Sequence, residues 1–110
     1  MTLEEKEKAI IDHYGLRNQL KHLFSEIFEL TEAIIEQDIY RQVEEVTKSI
    51  FGTGYSINEA LLKKHTIEEF ADVEHLLDQI ALNLEIARNE VLKVKEQKAD
   101  RQLNRIENGE

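Results

Sequence analysis

Residues 16–37 read LRNQLKHLFSEIFELTEAIIEQ, and their apolar side chains recur at steps of three and four residues. A stripe with this period is typical of an amphipathic helix, because about 3.6 residues make one helical turn. The segment therefore predicts one long helix with a continuous apolar face. The side chains of that face are Leu16, Leu20, Leu23, Ile27, Leu30 and Ile34, widened by Phe24 and Phe28.

The composition extends the helical prediction to the whole chain. Proline is absent and only four glycines occur in 110 residues, whereas a β-sandwich or barrel needs many more turn-forming residues. Residues that are good or adequate helix formers, such as Glu, Leu, Ile and Lys, dominate instead. We expect one all-α domain over residues 1–110, with a modest core. Its architecture should be a helical bundle, similar to a four-helix bundle and completed by oligomerisation.

Further helices are predicted on both sides of this segment. A short one runs from about residue 3 to residue 13 and ends near Gly15, since glycine suits a helix C-terminus. A helical period continues from residue 38 to Ile50, and residues 51–55 then form a connection. Ser56 is a candidate cap of a further short helix that runs through Lys64. Thr66 and Glu69 match a capping box with Thr66 at the N-cap, which predicts the start of the last helix. Its apolar face continues to Val91, and the pattern fades after residue 94. Residues 3–94 should hold the core. Residues 95–110 form a polar extension, either a solvated continuation of the helix or a segment ordered by a partner or ligand.

Charge and composition exclude several classes of function. A formal net charge of −9 disfavours broad contact with nucleic-acid phosphates. Because cysteine is absent, disulfides and thiolate chemistry are excluded. No apolar run approaches the roughly 20 residues of a membrane span, and residues 1–6 do not resemble a signal peptide. We expect a soluble, cytoplasmic protein with neither a nucleic-acid nor a membrane partner.

Two pairs of carboxylates stand out on the predicted helices. Glu26 and Glu29 are three residues apart, as are Glu69 and Asp72, and each pair should project on the flank of its apolar stripe. Packing the two stripes together would direct four carboxylates at one volume, where a divalent cation relieves their repulsion. Mg²⁺ prefers such oxygen ligands. Glutamate is common in this chain, however, and the same spacing is also typical of a solvated helix face.

The amino-acid sequences of both segments resemble those of a known family. Residues 19–34, QLKHLFSEIFELTEAI, are similar to the first motif of the MazG-like nucleotide pyrophosphohydrolases, and residues 68–73, EEFADV, to the second. That all-α superfamily carries an ExxE motif on one helix and an ExxD motif on a later one, which together bind Mg²⁺. The resemblance covers residues 15–35 and 66–106, and is nearest to small phage-type or prophage-type members. It implies that Glu26, Glu29, Glu69 and Asp72 are the metal ligands and catalytic residues.

The resemblance also implies a reaction and an assembly. Water would attack the α-phosphorus of a nucleoside triphosphate and release pyrophosphate and a nucleoside monophosphate, in a homodimer or homotetramer. Gln19 and His22 are candidates to contact the base. Lys95, Lys98, Arg101 and Arg105 are candidates to bind the phosphates, as arginine binds phosphate oxygens well. Ser25 stands where the family often has a glutamate, which leaves the number of metal ions open, and residues 38–65 are longer than in compact members.

Three alternatives remain open at the level of sequence. A non-catalytic helical interaction or adaptor module explains the charge and the stripes but gives no reason for the paired motifs. An enzyme similar to phosphoribosyl-ATP pyrophosphatase would keep the fold and change the substrate. A di-iron carboxylate bundle is the weakest alternative, because only one imperfect copy of its Glu-x-x-His motif occurs, at Asp72 and His75.

Overall fold

The computed structural model describes residues 1–52 and 59–109. In these ranges the chain forms four helices and no strand, which confirms the all-α class: α1 Leu3–Tyr14, α2 Leu16–Phe51, α3 Glu59–Asn83 and α4 Arg88–Glu107. Over the same ranges, no helix combines the length and the apolar character needed to cross a membrane. Ser56, and most of the predicted connection, lie outside the described residues.

The first helix begins and ends as elementary capping rules require. The Thr2 hydroxyl accepts a hydrogen bond from the Glu5 backbone N–H at 3.1 Å, and the Glu5 carboxylate accepts one from the Thr2 N–H at 3.1 Å. This reciprocal arrangement is a capping box. At the other end Gly15 has a φ of 86°, a conformation that favours glycine. The predicted end of the first helix near Gly15 is therefore confirmed.

The second helix is much longer than the predicted one. Instead of stopping at residue 37 it continues to Phe51, so the helical period of residues 38–50 belongs to the same element. Its end is set by Gly52, which adopts the left-handed conformation at φ 73° and donates its N–H to the Lys48 carbonyl at 2.9 Å. With 36 residues at about 1.5 Å each, α2 is about 54 Å long.

The predicted N-terminus of the last helix at Thr66 is wrong. α3 already runs from Glu59, so the short helix predicted through Lys64 is part of it, and Thr66 lies in its interior. The Thr66 hydroxyl is 2.9 Å from the Leu62 carbonyl oxygen and 2.7 Å from Gln37 Oε1 on α2. Inside a helix, a threonine hydroxyl can bond the carbonyl one turn earlier instead of capping a helix, and here the hydroxyl also contacts Gln37 on α2.

The predicted continuation of this helix to residue 94 is also wrong. α3 ends at Asn83, and Glu85 takes a positive φ of 57°. The Glu85 N–H donates to the Leu82 carbonyl at 3.2 Å and the Ile86 N–H to the Ala81 carbonyl at 2.8 Å. These two bonds form a Schellman motif. Because a glutamate rather than a glycine holds its left-handed position, no local pattern predicts that the helix ends here.

The face of α2 that packs on α3 follows a strict spacing of three and four residues. Its buried or half-buried members are Gln19, Leu23, Glu26, Leu30, Ala33, Gln37, Tyr40 and Glu44. We call this face the seam, since it has the a/d spacing of a coiled coil. The predicted apolar face is therefore partly wrong, because Leu20, Ile27 and Ile34 are exposed. α2 is turned toward polar partners on α3, where Gln79 bonds Gln19 and Thr66 bonds Gln37.

The three packed helices bury a small and unusually polar core. α1 lies against α3 and, less extensively, against α2, while α4 has no buried residue among those described. Arg88 at the start of α4 pairs with Asp78 at 3.1 Å. The radius of gyration is 19.0 Å, against about 13 Å for a compact domain of this length. The described chain is thus elongated, and much apolar surface stays uncovered. The buried apolar residues are Ile11, Ala33, Val73, Leu76 and Ala81.

Candidate metal centre

Two of the four candidate carboxylates lie in the interface between α2 and α3. Glu26 is a member of the seam and Glu69 faces it from α3, with only 13% and 11% of their side chains exposed. The predicted position on the flank of an apolar stripe is therefore wrong for these two residues. Glu29 and Asp72, one turn further along their helices, lie at the exposed edge as expected.

Three of the carboxylates converge on one point. Glu26, Glu29 and Glu69 each offer an oxygen, and these oxygens all lie within 4.8 Å of one another. Asp72 is not a member of this close group, but its charge acts on Glu26 and it lines the same cavity. We call Glu26, Glu29 and Glu69 the acidic group. A divalent cation that binds carboxylate oxygens would bring their mutual repulsion to an end.

The hydrogen bonding of the acidic group is incomplete. Within the described part of the chain, Glu26 Oε2 and Glu69 Oε2 are buried and have no hydrogen-bond partner. A buried carboxylate oxygen without a partner is costly, because it has lost its water and gained nothing in return. These two oxygens come from different helices and belong to the same group. The donor set therefore fits a hard divalent metal ion, which would supply the missing partner for both.

The electrostatics of Glu26 agree with this geometry. Burial raises the pKa of the Glu26 carboxyl above its ordinary value of 4.5, and the nearby Glu29 and Asp72 carboxylates raise the pKa further. His22 acts in the opposite direction and lowers it. A carboxyl that resists ionisation at this position is the expected result of negative charges gathered in a poorly solvated place. Binding of a cation would reverse that effect and favour the carboxylate.

A histidine accompanies each of the two buried carboxylates. His22 Nε2 lies 3.1 Å from Glu26 Oε1, and His65 Nε2 lies 3.9 Å from Glu69 Oε1. Both histidines precede their glutamate by four residues, so they lie one turn away on the same helix face. His22 was a predicted candidate for the site, whereas His65 was not. The repeated His-x-x-x-Glu spacing at residues 22–26 and 65–69 was the available signal.

A cavity of about 440 Å³ extends from the acidic group between α1, α2 and α3. From α2 it is lined by Gln19, His22 and Glu26, and from α3 by residues with the same i, i+3, i+7 spacing. Those residues are Asp72, His75 and Gln79, and the remaining wall is made by Ile10, Tyr14, Asn18 and Leu76. Both candidates for base contact, Gln19 and His22, therefore lie in one cavity with two of the four carboxylates.

The four candidate phosphate ligands lie elsewhere in the chain. Lys95, Lys98, Arg101 and Arg105 are all exposed on α4, and none is among the described residues that line the cavity. Within one copy of the chain they are not gathered with the acidic group.

Two long-range polar pairs, each with a member that lines the cavity, were not predicted from the sequence. Gln19 Nε2 donates to Gln79 Oε1 at 2.7 Å, and Gln79 is almost completely buried. His75 Nδ1 lies 3.0 Å from Glu7 Oε2, which places a buried carboxylate of α1 against the imidazole of α3. The partners are 60 and 68 residues apart in the chain, so no local pattern connects them.

Comparison of the chain with models of protein families, with characterised proteins and with solved structures finds no match. The acidic group, its incomplete hydrogen bonding and the adjoining cavity are therefore the grounds for a functional proposal.

Proposed function

We propose that the chain is a Mg²⁺-dependent nucleoside triphosphate pyrophosphohydrolase of the MazG-like type, because its two carboxylate motifs resemble the motifs of that family. The observation that carries the proposal is the pair of buried oxygens without partners, Glu26 Oε2 and Glu69 Oε2, on two different helices of one acidic group. A solvated helix face, the ordinary explanation of Glu-x-x-Glu spacing, does not account for carboxylates buried in a helix interface.

The residues of the site divide into two roles. Glu26, Glu29 and Glu69 would hold the metal ion, which when bound neutralises triphosphate charge and lowers the pKa of a bound water. Asp72 lies outside this close group and lines the cavity, so its carboxylate is the best placed of the four to accept a proton from the attacking water. In that reaction a bond forms between the water oxygen and the α-phosphorus. The bond between the α-phosphorus and the oxygen that bridges it to the β-phosphorus breaks, and pyrophosphate leaves.

Assembly into a homo-oligomer is part of the proposal. An exposed line of six apolar side chains runs along α2, within about 80° around its axis; we call it the apolar ridge, and it consists of Phe24, Phe28, Ile35, Ile39, Val46 and Ile50. Exposed apolar side chains gathered on one side of a helix in this way mark an interaction site. A second copy of the chain would cover it and produce the compact bundle that one elongated copy lacks. The non-catalytic adaptor explains the ridge equally well but not the oxygens without partners.

The test is pyrophosphate release from the common ribo- and deoxyribonucleoside triphosphates, with Mg²⁺ and then with EDTA. We expect turnover that requires the metal and is lost in Glu29→Ala, while far-UV circular dichroism stays unchanged. Glu36→Ala, two turns along the same exposed side of α2 and outside the apolar ridge, is the matched control and should keep activity. A folded protein that neither binds Mg²⁺ calorimetrically nor hydrolyses any nucleotide of the panel would reject the proposal and favour the adaptor.

A further inference from the structure

The cavity beside the acidic group is built in layers. Glu26 and Asp72 line the same cavity, and Gln19 is bonded to Gln79. α2 and α3 are antiparallel, and both supply these groups at i, i+3, i+7 spacing, so the two histidines of the cavity lie between those layers. From the acidic group outward the cavity therefore presents carboxylates, then imidazoles, then amides.

The far part of the cavity suits an uncharged polar group rather than a phosphate. Along α3, His75 lies six residues beyond Glu69, or about 9 Å, and Gln79 lies about 15 Å beyond it. No lysine or arginine is found among the described residues that line the cavity. Amides and imidazoles offer donors and acceptors to an uncharged partner. A nucleotide with its phosphates at the acidic group would place its nucleoside part here.

The buried Glu7 carboxylate fixes one imidazole of this cavity. Glu7 is buried on α1, with 6% of its side chain exposed, and its Oε2 accepts a hydrogen bond from His75 Nδ1 at 3.0 Å. Because an ionised carboxylate can only accept, the proton of a neutral imidazole is placed on Nδ1 and the lone pair on Nε2. Glu7, which does not itself line the cavity, thus sets both the ring orientation and the tautomer of His75.

We propose that His75 contacts the nucleoside part of the substrate through Nε2, and that Glu7 is the residue that positions it. This inference rests on the proposed function for the identity of the substrate. His75 is 42% exposed on its side chain and lines the cavity, so its free nitrogen is accessible to a ligand. His22, the other imidazole of the cavity, is already in contact with Glu26. His75 is therefore the histidine that is free of the acidic group.

Substitution of His75 by asparagine distinguishes the roles of the two ring nitrogens. The amide of asparagine places an N–H donor near the position of Nδ1, so the bond to Glu7 and the fold are kept while Nε2 is removed. With a triphosphate substrate and Mg²⁺, we expect His75→Asn to raise KM by about 5- to 10-fold, the value of one hydrogen bond. The change in kcat should stay within about twofold, because a contact to the unreacting part contributes uniform binding. His13→Asn, on an exposed histidine of α1, is the control.

The role of Glu7 is tested by imidazole ¹⁵N NMR of the full chain. In the wild type we expect the His75 ring to be the Nδ1–H tautomer and its Nε2 signal to shift on addition of nucleoside 5′-monophosphates, but not of inorganic pyrophosphate. Glu7→Gln should mix the tautomers and raise KM as His75→Asn does. Glu4→Gln, one turn earlier on α1 and exposed, should do neither.

The outcomes distinguish this inference from the proposed function. Metal-dependent turnover together with an Nε2 signal that no nucleotide shifts would overturn the inference and leave the enzyme in place. A large loss of kcat in His75→Asn with KM unchanged would also overturn it, because His75 would then act in the chemical step. A protein without turnover whose Nε2 signal still responds to nucleoside monophosphates would reject the hydrolase and support the nucleoside contact.

Discussion

Replacement of Glu69 by glutamine removes one negative charge from the acidic group and leaves the size of the side chain unchanged. The oxygens of the group lie within 4.8 Å of one another. Two unit charges at that separation repel by about 3.5 kcal/mol at an effective dielectric constant of about 20, and by about 1 kcal/mol in water. Since Glu26 and Glu69 are both largely buried, the relief should be well above the aqueous value. The new amide can also donate to the oxygen of Glu26 that has no partner.

We therefore expect Glu69→Gln to be more stable than the wild type by about 1–3 kcal/mol at pH 7 in EDTA. The assay is urea unfolding followed by far-UV circular dichroism, at one protein concentration because association contributes to stability. Addition of Mg²⁺ at about 100 times its dissociation constant should stabilise the wild type by about 2.7 kcal/mol. The variant should gain much less, because one of its three ligands is gone.

Glu74→Gln is the matched control, since Glu74 lies on the same helix and is exposed. It should change stability by no more than about 0.5 kcal/mol and keep the response to Mg²⁺. If Glu69→Gln destabilised the metal-free protein while Glu74→Gln did not, the carboxylates would be held together by favourable contacts. Repulsion within the acidic group would then be excluded, and with it the case for a metal site.

Three other perturbations test separate parts of the structure. Burial, followed by the Glu29 carboxylate, raises the pKa of Glu26 above 4.5, so the folded state binds that proton more tightly than the unfolded chain does. The free energy of unfolding of the metal-free wild type should fall as pH rises from about 4.5 through the raised pKa. Glu26→Gln should lack that part of the fall when urea unfolding is repeated across this pH range. The same dependence of unfolding free energy on pH in both proteins would contradict this prediction. Gln79→Leu should cost about 1–3 kcal/mol in urea unfolding, because Gln19 loses its partner, and adding Gln19→Leu should recover most of the loss. Phe28→Ser should shift the protein toward monomer in sedimentation without loss of helicity, since Phe28 is 64% exposed on the apolar ridge; an unchanged assembly would show that the ridge is not the interface.

Much of the candidate site could be predicted because its motifs are local. Glu26 and Glu29 share one stretch of helix, and Glu69 and Asp72 share another, so their spacing alone placed each pair on one side of its helix. The spacing could not show how each pair divides between the interface and the exposed edge. His65 was overlooked, and Glu7 and Gln79 could not be found by any local pattern. Their partners are more than 50 residues away and meet them only after three helices have packed.

The helical class and both ends of the first helix, including the break at Gly15, follow from local sequence. They depend on composition, on side chains within four residues of each other and on the conformational freedom of Gly15. Tertiary structure decided which face of α2 is buried. Its apolar stripe and its seam both satisfy a helical period, and local rules do not choose between them. The seam is the face that packs on α3. There Gln19 and Gln37 form hydrogen bonds with α3, and Glu26 lies close to Glu69. The same packing holds Thr66 in the interior of α3 although its local sequence favours a cap, because contacts between helices outweigh the preference of a single turn.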